Sequence, residues 1–140
     1  MRRIVILLIL QIIATGFCFG QLPHTFTQYT SEDGLSQNTI MSILQDDKGV
    51  MWFATWDGLY KFDGYTFNNY KAHPGDSIGL SNNRLDNIKE DRYGYIWVQS
   101  YNHQVYRFNP RLERFQAIPY DNYLSLDMYV LPCGDVWIIT

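Results

Sequence analysis

The stretch Gly49-Val50-Met51-Trp52-Phe53-Ala54-Thr55 decides the fold, because it occurs three times in the chain. It returns as Gly94-Tyr95-Ile96-Trp97-Val98-Gln99-Ser100 and as Gly134-Asp135-Val136-Trp137-Ile138-Ile139-Thr140. The glycines lie 45 and 40 residues apart, and a fixed period of this size is typical of stacked β units. We therefore interpret six residues as structural repeat positions, with the tryptophans in the core: Gly49, Trp52, Gly94, Trp97, Gly134 and Trp137.

Two further strings repeat around this stretch. Gly34-Leu35-Ser36-Gln37-Asn38 recurs 45 residues later as Gly79-Leu80-Ser81-Asn82-Asn83, and Ser and Asn side chains can fix a turn by bonding to nearby backbone groups. Leu59-Tyr60-Lys61-Phe62-Asp63 matches Val105-Tyr106-Arg107-Phe108-Asn109 after 46 residues. The extra residue falls in the preceding hairpin, as expected for an insertion between strands.

The pattern between the repeats predicts strands joined by tight turns. Asp46-Asp47-Lys48-Gly49 and Asp91-Arg92-Tyr93-Gly94 are hairpin turns, in which the glycine supplies a positive φ. We interpret the first aspartate of each turn as a cap rather than a metal ligand, because the spacing fits no calcium loop. The strands predicted around them are Phe26–Thr30, Thr39–Gln45, the tryptophan strands, Tyr65–Tyr70 and Arg114–Ile118.

Each repeat therefore holds about four strands in about 40–45 residues, which matches a propeller blade. No stretch shows a sustained helical period. We predict an all-β chain with about two complete four-stranded blades and the start of a third, which is an incomplete β-propeller. The repeat units fall at approximately 34–78, 79–123 and 124–140.

The first twenty residues differ from the rest. Arg2 and Arg3 precede an apolar run, and Gly20 offers a small residue for cleavage, so we predict a signal peptide at 1–20 and a partial propeller at 21–140. Loss of those two arginines changes the net charge from −3 to −5, which argues against a nucleic-acid surface. Cys133 would then be the one remaining cysteine, and its apolar and turn context predicts a buried thiol.

No group of residues predicts catalysis. His24, His73 and His103 are scattered without metal-ligand spacing, and neither a serine nucleophile elbow nor a phosphate-binding glycine loop is present. We therefore predict no catalytic residue, no metal and no cofactor.

The best candidates for ligand binding lie in two equivalent hairpins after the tryptophan strand, where an aromatic residue adjoins an acid or an amide. An aromatic face beside a hydrogen-bonding edge suits a sugar. The alternative, which propeller architecture favours, is that the rings pack between blades while the polar neighbours cap turns. The candidate ligand-binding residues are Trp56, Asp57, Tyr101, Asn102 and His103.

Three strings of the first repeat together resemble the two-component regulator propeller repeat. They are Gly34-Leu35-Ser36-Gln37-Asn38, Asp46-Asp47-Lys48-Gly49-Val50-Met51-Trp52-Phe53-Ala54-Thr55 and Asp57-Gly58-Leu59-Tyr60-Lys61-Phe62-Asp63-Gly64. The resemblance covers nearly all of 26–140. The second copy departs from the pattern at Tyr101-Asn102-His103-Gln104 and the third at Leu131-Pro132-Cys133.

The resemblance implies the N-terminal fragment of a periplasmic sensor from a Bacteroidetes-type hybrid two-component system. In that family the propellers are followed by a further β domain, a membrane helix, a histidine kinase, a receiver and a DNA-binding helix-turn-helix. Such sensors respond to oligosaccharides. The resemblance thus implies an oligosaccharide ligand, the remaining blades as partners, no nucleic acid bound by this piece, and a homodimer only for the full-length receptor. Kinase activity would reside in a C-terminal part.

Two other classes of protein stay open at this point. One is a fragment of a secreted β-propeller enzyme acting on glycans, which would carry inward-facing acids or histidines in further blades. The other is a structural chain that assembles blades from several copies. Propellers close with about 4–8 blades, so we also expect the isolated chain to expose strand edges and to be poorly soluble or partly folded.

Overall fold

A computed structural model of the chain describes residues 25–35, 39–73, 75, 79–119 and 127–139. In these ranges a 3₁₀ turn at Ser31–Asp33 precedes ten strands. The strands are β1 Ile40–Gln45, β2 Met51–Thr55, β3 Gly58–Phe62, β4 Phe67–Tyr70, β5 Leu85–Glu90, β6 Ile96–Ser100, β7 Val105–Asn109, β8 Arg114–Ala117, β9 Asp127–Val130 and β10 Val136–Ile139.

The strands form three antiparallel sheets in simple sequential order. The first sheet is β1-β2-β3-β4, the second is β5-β6-β7-β8, and β9 pairs with β10. The first strands of the sheets contact one another in turn, β1 against β5 and β5 against β9. The prediction of an all-β chain with two four-stranded blades and part of a third is confirmed. Residues 1–20, the predicted signal peptide, lie outside the described ranges.

The first hairpin turn is held by one carboxylate. Asp46 Oδ1 accepts hydrogen bonds from the backbone N–H groups of Lys48 (3.0 Å) and Val50 (2.8 Å). Its other oxygen, Oδ2, accepts a bond from Trp52 Nε1 at 2.9 Å. Gly49 adopts a φ of 82°, which glycine reaches at little cost. One side chain thus fixes both the turn and the orientation of the buried indole.

The second blade repeats this arrangement. Asp91 Oδ1 accepts bonds from the N–H groups of Tyr93 (2.9 Å) and Tyr95 (3.0 Å), and Oδ2 accepts one from Trp97 Nε1 (2.8 Å). The predicted role of these aspartates as turn caps is therefore correct. Gly94 takes the same positive φ, 79°.

The core lies largely between the two four-stranded sheets. The Trp52 ring meets the Phe108 ring edge-on with centroids 5.6 Å apart, and Tyr70 packs on Phe108 at 4.8 Å. Burial of such large rings between adjacent blades is the main source of stability in this arrangement. The buried cluster contains Trp52, Ala54, Leu59, Leu80, Leu85, Ile88, Ile96, Val98, Tyr106, Phe108 and Phe115.

The prediction that all three repeat tryptophans are core residues is wrong for the third copy. Trp52 is 1% exposed and Trp97 is half-buried, but Trp137 is 63% exposed. Trp137 lies on β10, which pairs only with β9 among the described strands. Leu131 stands where the other two turns have their aspartate, so the indole also lacks that carboxylate.

Two smaller predictions are also wrong. Phe26–Thr30 is not a strand; Thr30 instead caps the 3₁₀ turn, with its N–H donating to Asp33 Oδ2 at 2.7 Å. Tyr29 packs edge-on against Phe62 with ring centroids 4.9 Å apart. The aromatic side chain in this segment therefore packs against the first sheet, and the segment does not pair as a strand. Cys133 is exposed, although its carbonyl accepts a hydrogen bond from Arg92 Nη1 at 2.7 Å.

Candidate functional site at the hairpins between the second and third strands

The candidate site lies at the end of the blades opposite the Asp46 and Asp91 turns. It comprises the β2–β3 hairpin, the β6–β7 hairpin and the segment that leads into β5. This segment bonds to both hairpins: Gly58 N–H donates to Asn83 O at 2.8 Å, and Tyr101 N–H donates to Arg84 O at 2.9 Å. The hairpins of adjacent blades are therefore joined by one short piece of backbone. We call this region the hairpin face.

At the centre of the hairpin face, Arg84 lies between two aromatic rings. Its Cζ is 4.3 Å from the ring centroid of Trp56 and 3.8 Å from that of Tyr101. Both distances are well inside the range of favourable cation–π contact. The two rings remain 42% and 52% exposed, so each offers part of its surface to solvent.

The Arg84 guanidinium forms no ion pair with a described acid, although Asp86 lies two residues further along the chain and has a buried Oδ1 without a hydrogen-bond partner. The buried Nε of Arg84 likewise finds no hydrogen-bond acceptor among the described residues. Its backbone, by contrast, is fixed, because the Arg84 N–H donates to Asn82 Oδ1 at 2.8 Å. The side chain thus carries a full charge that is stabilised by ring faces rather than by a carboxylate.

Asp57 is engaged within its own blade. Lys71 Nζ lies 2.6 Å from Asp57 Oδ2, and the Tyr60 hydroxyl donates to the same oxygen at 3.4 Å. The hydrogen bond from Lys71 to Asp57 raises the pKa of the lysine above its usual value. Asn69 Nδ2 adds a bond to the Asp57 carbonyl at 3.2 Å. Asp57 therefore stabilises the β2–β3 hairpin.

Asn102 links its hairpin to the preceding loop. Its Oδ1 accepts from Ser100 Oγ at 2.6 Å, and its Nδ2 donates to Ser81 Oγ at 3.4 Å. Ser81 Oγ is in turn 2.6 Å from the hydroxyl of buried Tyr106. These contacts continue from the exposed amide into the core of the second blade.

His103 shapes the longer hairpin through its backbone. Its φ is 65°, in the left-handed region, and its N–H donates to Ser100 O at 2.8 Å. A left-handed residue at the end of a tight turn is the usual way to accommodate an extra residue in a hairpin. The insertion seen in the sequence is thus absorbed at His103.

The structure brings together two of the five predicted residues, Trp56 and Tyr101, through Arg84, which is not among them. Arg84 occupies the position that Thr39 holds in the first repeat, 45 residues earlier. That departure from the repeat was the available signal. The prediction that rings pack between blades and polar neighbours cap turns describes much of what these side chains do, although both rings keep exposed surface.

Two findings concern metal-ligand groups and membrane-spanning helices in the described ranges. No group of three or more histidine, cysteine or acidic side chains in them could hold a metal ion. Within the same ranges, no helix has the length and apolarity required to cross a membrane.

The antiparallel four-stranded sheets, stacked through their first strands, define the chain as part of a β-propeller. It is similar to the extracellular domain of a hybrid two-component system of B. thetaiotaomicron, with a TM-score of 0.71 and 26% identity over 84% of this chain and 18% of that one. It is also similar in fold to PorZ, a surface component of the type IX secretion system of Porphyromonas gingivalis, with a TM-score of 0.57 and 18% identity over 71% of this chain and 15% of that one.

More particularly, residues 34–57 match the family model described as two component regulator propeller. A curated relative, histidine kinase P4 of Formosa agariphila, is 48% identical over 56 residues, which make up 40% of this chain and 4% of the kinase. The chain therefore carries the two-component regulator propeller repeat, as its sequence predicts. It spans only a small part of the length of these relatives.

Proposed function

We propose that this chain is part of the extracytoplasmic sensor region of a two-component regulator, and that it binds an oligosaccharide without catalysing a reaction. The repeat at 34–57 and the likeness to the extracellular domain of a hybrid two-component system support the sensor role. The predicted signal peptide at 1–20 supports export. In this proposal the chain functions together with further blades, any kinase activity lies in another part of the protein, and a homodimer forms only in the full-length receptor.

One observation carries the binding proposal: two half-exposed aromatic rings from adjacent blades, Trp56 and Tyr101, are held in place around Arg84. Sugar rings have apolar faces that stack on aromatic side chains, and their hydroxyls need polar groups beside those rings. The hairpin face supplies both. A residue fixed before the ligand arrives also loses less entropy on binding.

The same face favours binding over glycan cleavage. A glycoside hydrolase uses two carboxyl groups at a defined separation, one as acid and one as base or nucleophile. Asp57 is the acid of the β2–β3 hairpin, and its carboxylate is held by Lys71 at 2.6 Å. A carboxylate in such an ion pair is a poor candidate for proton transfer.

The test is a glycan array followed by isothermal titration with the purified chain, after circular dichroism and sedimentation have shown that the chain is folded and soluble. We expect binding of at least one oligosaccharide and a loss of about tenfold or more when Trp56→Ala and Tyr101→Ala are combined, since each stacked ring contributes about 1 kcal/mol. Trp137→Ala is the matched control, because Trp137 is exposed but lies outside the hairpin face. Circular dichroism establishes that each variant is folded. Absence of any binding glycan, or equal loss in the control, would contradict the proposal.

A further inference from the structure

We infer that Arg84 makes the hairpin face selective for acidic oligosaccharides, whose carboxylate or sulfate group binds the guanidinium. The inference rests on the proposed function and narrows its ligand class. It starts from the unusual surroundings of this one arginine, which is placed between two rings and lacks an anionic partner among the described residues.

The stacking determines where a ligand can bind the guanidinium. The Trp56 and Tyr101 rings lie 4.3 and 3.8 Å from its Cζ, and rings that stack on a guanidinium leave the edge of the planar group for hydrogen bonds. All five N–H donors of a guanidinium point along that edge, in a geometry that matches the two oxygens of a carboxylate or of a sulfate. The rings therefore leave available the part of Arg84 that recognises oxyanions.

No ion pair among the described residues neutralises the charge on Arg84. Asp57, the acid of the β2–β3 hairpin, is already held by Lys71 at 2.6 Å. The Nε of Arg84 is buried without an acceptor, although a buried donor normally finds one. An anionic ligand at the edge would compensate the charge without breaking an existing ion pair.

Two other arginines on the blades, Arg107 and Arg92, make contacts that differ from those of Arg84. Arg107 stacks on Tyr95 at 4.6 Å and donates to Gln116 Oε1 at 2.7 Å. Arg92 stacks on Tyr93 and donates to the Cys133 carbonyl at 2.7 Å. Each of these has one ring and one internal acceptor.

Arg84 has two rings and no internal acceptor among the described residues. Its backbone is held by Asn82 and by Tyr101. The side chain is thus positioned in advance. Its Nε is buried, and the two terminal nitrogens of the guanidinium stay available to a ligand, which is the arrangement expected of a recognition residue.

The experiment uses the whole chain and an array of uronate-containing, sulfated and neutral oligosaccharides of three to six sugars. Each uronate oligosaccharide is also presented as its uncharged methyl ester. We expect the acid form to bind about tenfold or more tightly than the ester, since a hydrogen-bonded charge pair is worth at least that factor. Affinity for the acid should fall as salt rises. The sulfated and uronate arms show which anion is recognised.

The variants separate recognition from packing. Arg84→Gln should abolish the preference for the acid over the ester, even though loss of its contacts with both rings also weakens the binding of each form, while Arg84→Lys keeps the charge and should retain part of the preference. Arg107→Gln is the control, because it removes a stacked arginine elsewhere. Circular dichroism follows folding, and Arg84→Lys tests the role of Arg84 where Arg84→Gln unfolds. The comparison of acid with ester on the unaltered chain decides whether acids are preferred at all.

The outcomes distinguish this inference from the proposed function. Equal binding of acid and ester, or unchanged preference in Arg84→Gln, overturns the role of Arg84 and leaves oligosaccharide binding intact. Absence of binding to every charged and neutral glycan overturns both. A preference for acids that Arg107→Gln abolishes and Arg84→Gln does not would also overturn the inference.

Discussion

The turn aspartate of the first blade offers a direct test of how the repeat stabilises the fold. Asp46→Ala removes three hydrogen bonds at once: those from Lys48 N–H, Val50 N–H and Trp52 Nε1. The neighbouring Asp47 lies in the same turn, and its carboxylate accepts no hydrogen bond from the described residues. Asp47→Ala is therefore a matched control for loss of charge and of side-chain volume at this place.

The cost of Asp46→Ala follows from where the three donors lie. The Lys48 amide belongs to an exposed residue and can bond to water, so its loss costs little. Trp52 is 1% exposed, and an unpaired buried donor costs about 1–3 kcal/mol. With the partly buried Val50 amide added, we expect the free energy of unfolding to fall by about 3 kcal/mol. For a domain of about 100 residues this lowers Tm by roughly 12–24 °C.

Urea and thermal unfolding, monitored by far-ultraviolet circular dichroism, measure this loss of stability. Asp47→Ala should stay within about 0.5 kcal/mol of the parent chain. Asp46→Asn should fall between the two, because an amide can still accept from the turn N–H groups but presents its own N–H₂ to the Trp52 indole. The reasoning is refuted if Asp46→Ala and Asp47→Ala destabilise equally, or if Asp46→Asn behaves like the parent.

Two further predictions concern the ends of the blades. Gly58→Ala should destabilise the chain by about 2 kcal/mol or more, because the added Cβ would lie 2.5 Å from the Tyr70 carbonyl oxygen and 2.6 Å from Asn69 Oδ1, at a φ of 112°; urea unfolding that matches the parent would contradict this. Burial raises the pKa of the Glu90 carboxyl above its usual 4.5. Nearby carboxylates raise this pKa further, whereas the hydrogen bond from the Asp47 N–H lowers it. Since the folded state then binds more protons than the unfolded state, the free energy of unfolding should fall as pH rises through and above 4.5. In a series of melts between pH 4 and 7, Glu90→Gln should reduce that fall. Parallel pH profiles of the variant and the parent chain would contradict this prediction.

The sequence was sufficient to predict the parts of the fold that repeat. Gly49 and Gly94 fixed two hairpin turns, and their aspartates were correctly assigned as caps, because short-range geometry dictates both. The prediction that Trp137 is buried is wrong because burial is not a local property. The same Gly-x-x-Trp string gives a buried indole where another sheet packs on it and an exposed one on β10.

The candidate site was predicted in part, for a similar reason. Trp56 and Tyr101 were identified because they occupy equivalent hairpins in successive repeats. Their common partner Arg84 lies in the segment before β5, and nothing in the hairpin sequences points to it. The contact depends on how one blade packs on the next, which a single repeat does not encode. The hydrogen bond that joins Gly58 to Asn83 belongs to the same inter-blade packing.

Under the proposed function, this division between repeated and unrepeated residues would place ligand specificity at the hairpin face. The turn aspartates and the tryptophans that they bind recur with the same bonds in both complete blades, so they serve the architecture. At the opposite end of the blades the residues change: Arg84 replaces Thr39, and the second hairpin gains a residue that His103 accommodates. An exchange there leaves the strand ladders intact, because loops tolerate change that strands do not. A propeller that must distinguish one ligand from another can therefore vary its hairpin face while its turn aspartates keep the blades unchanged.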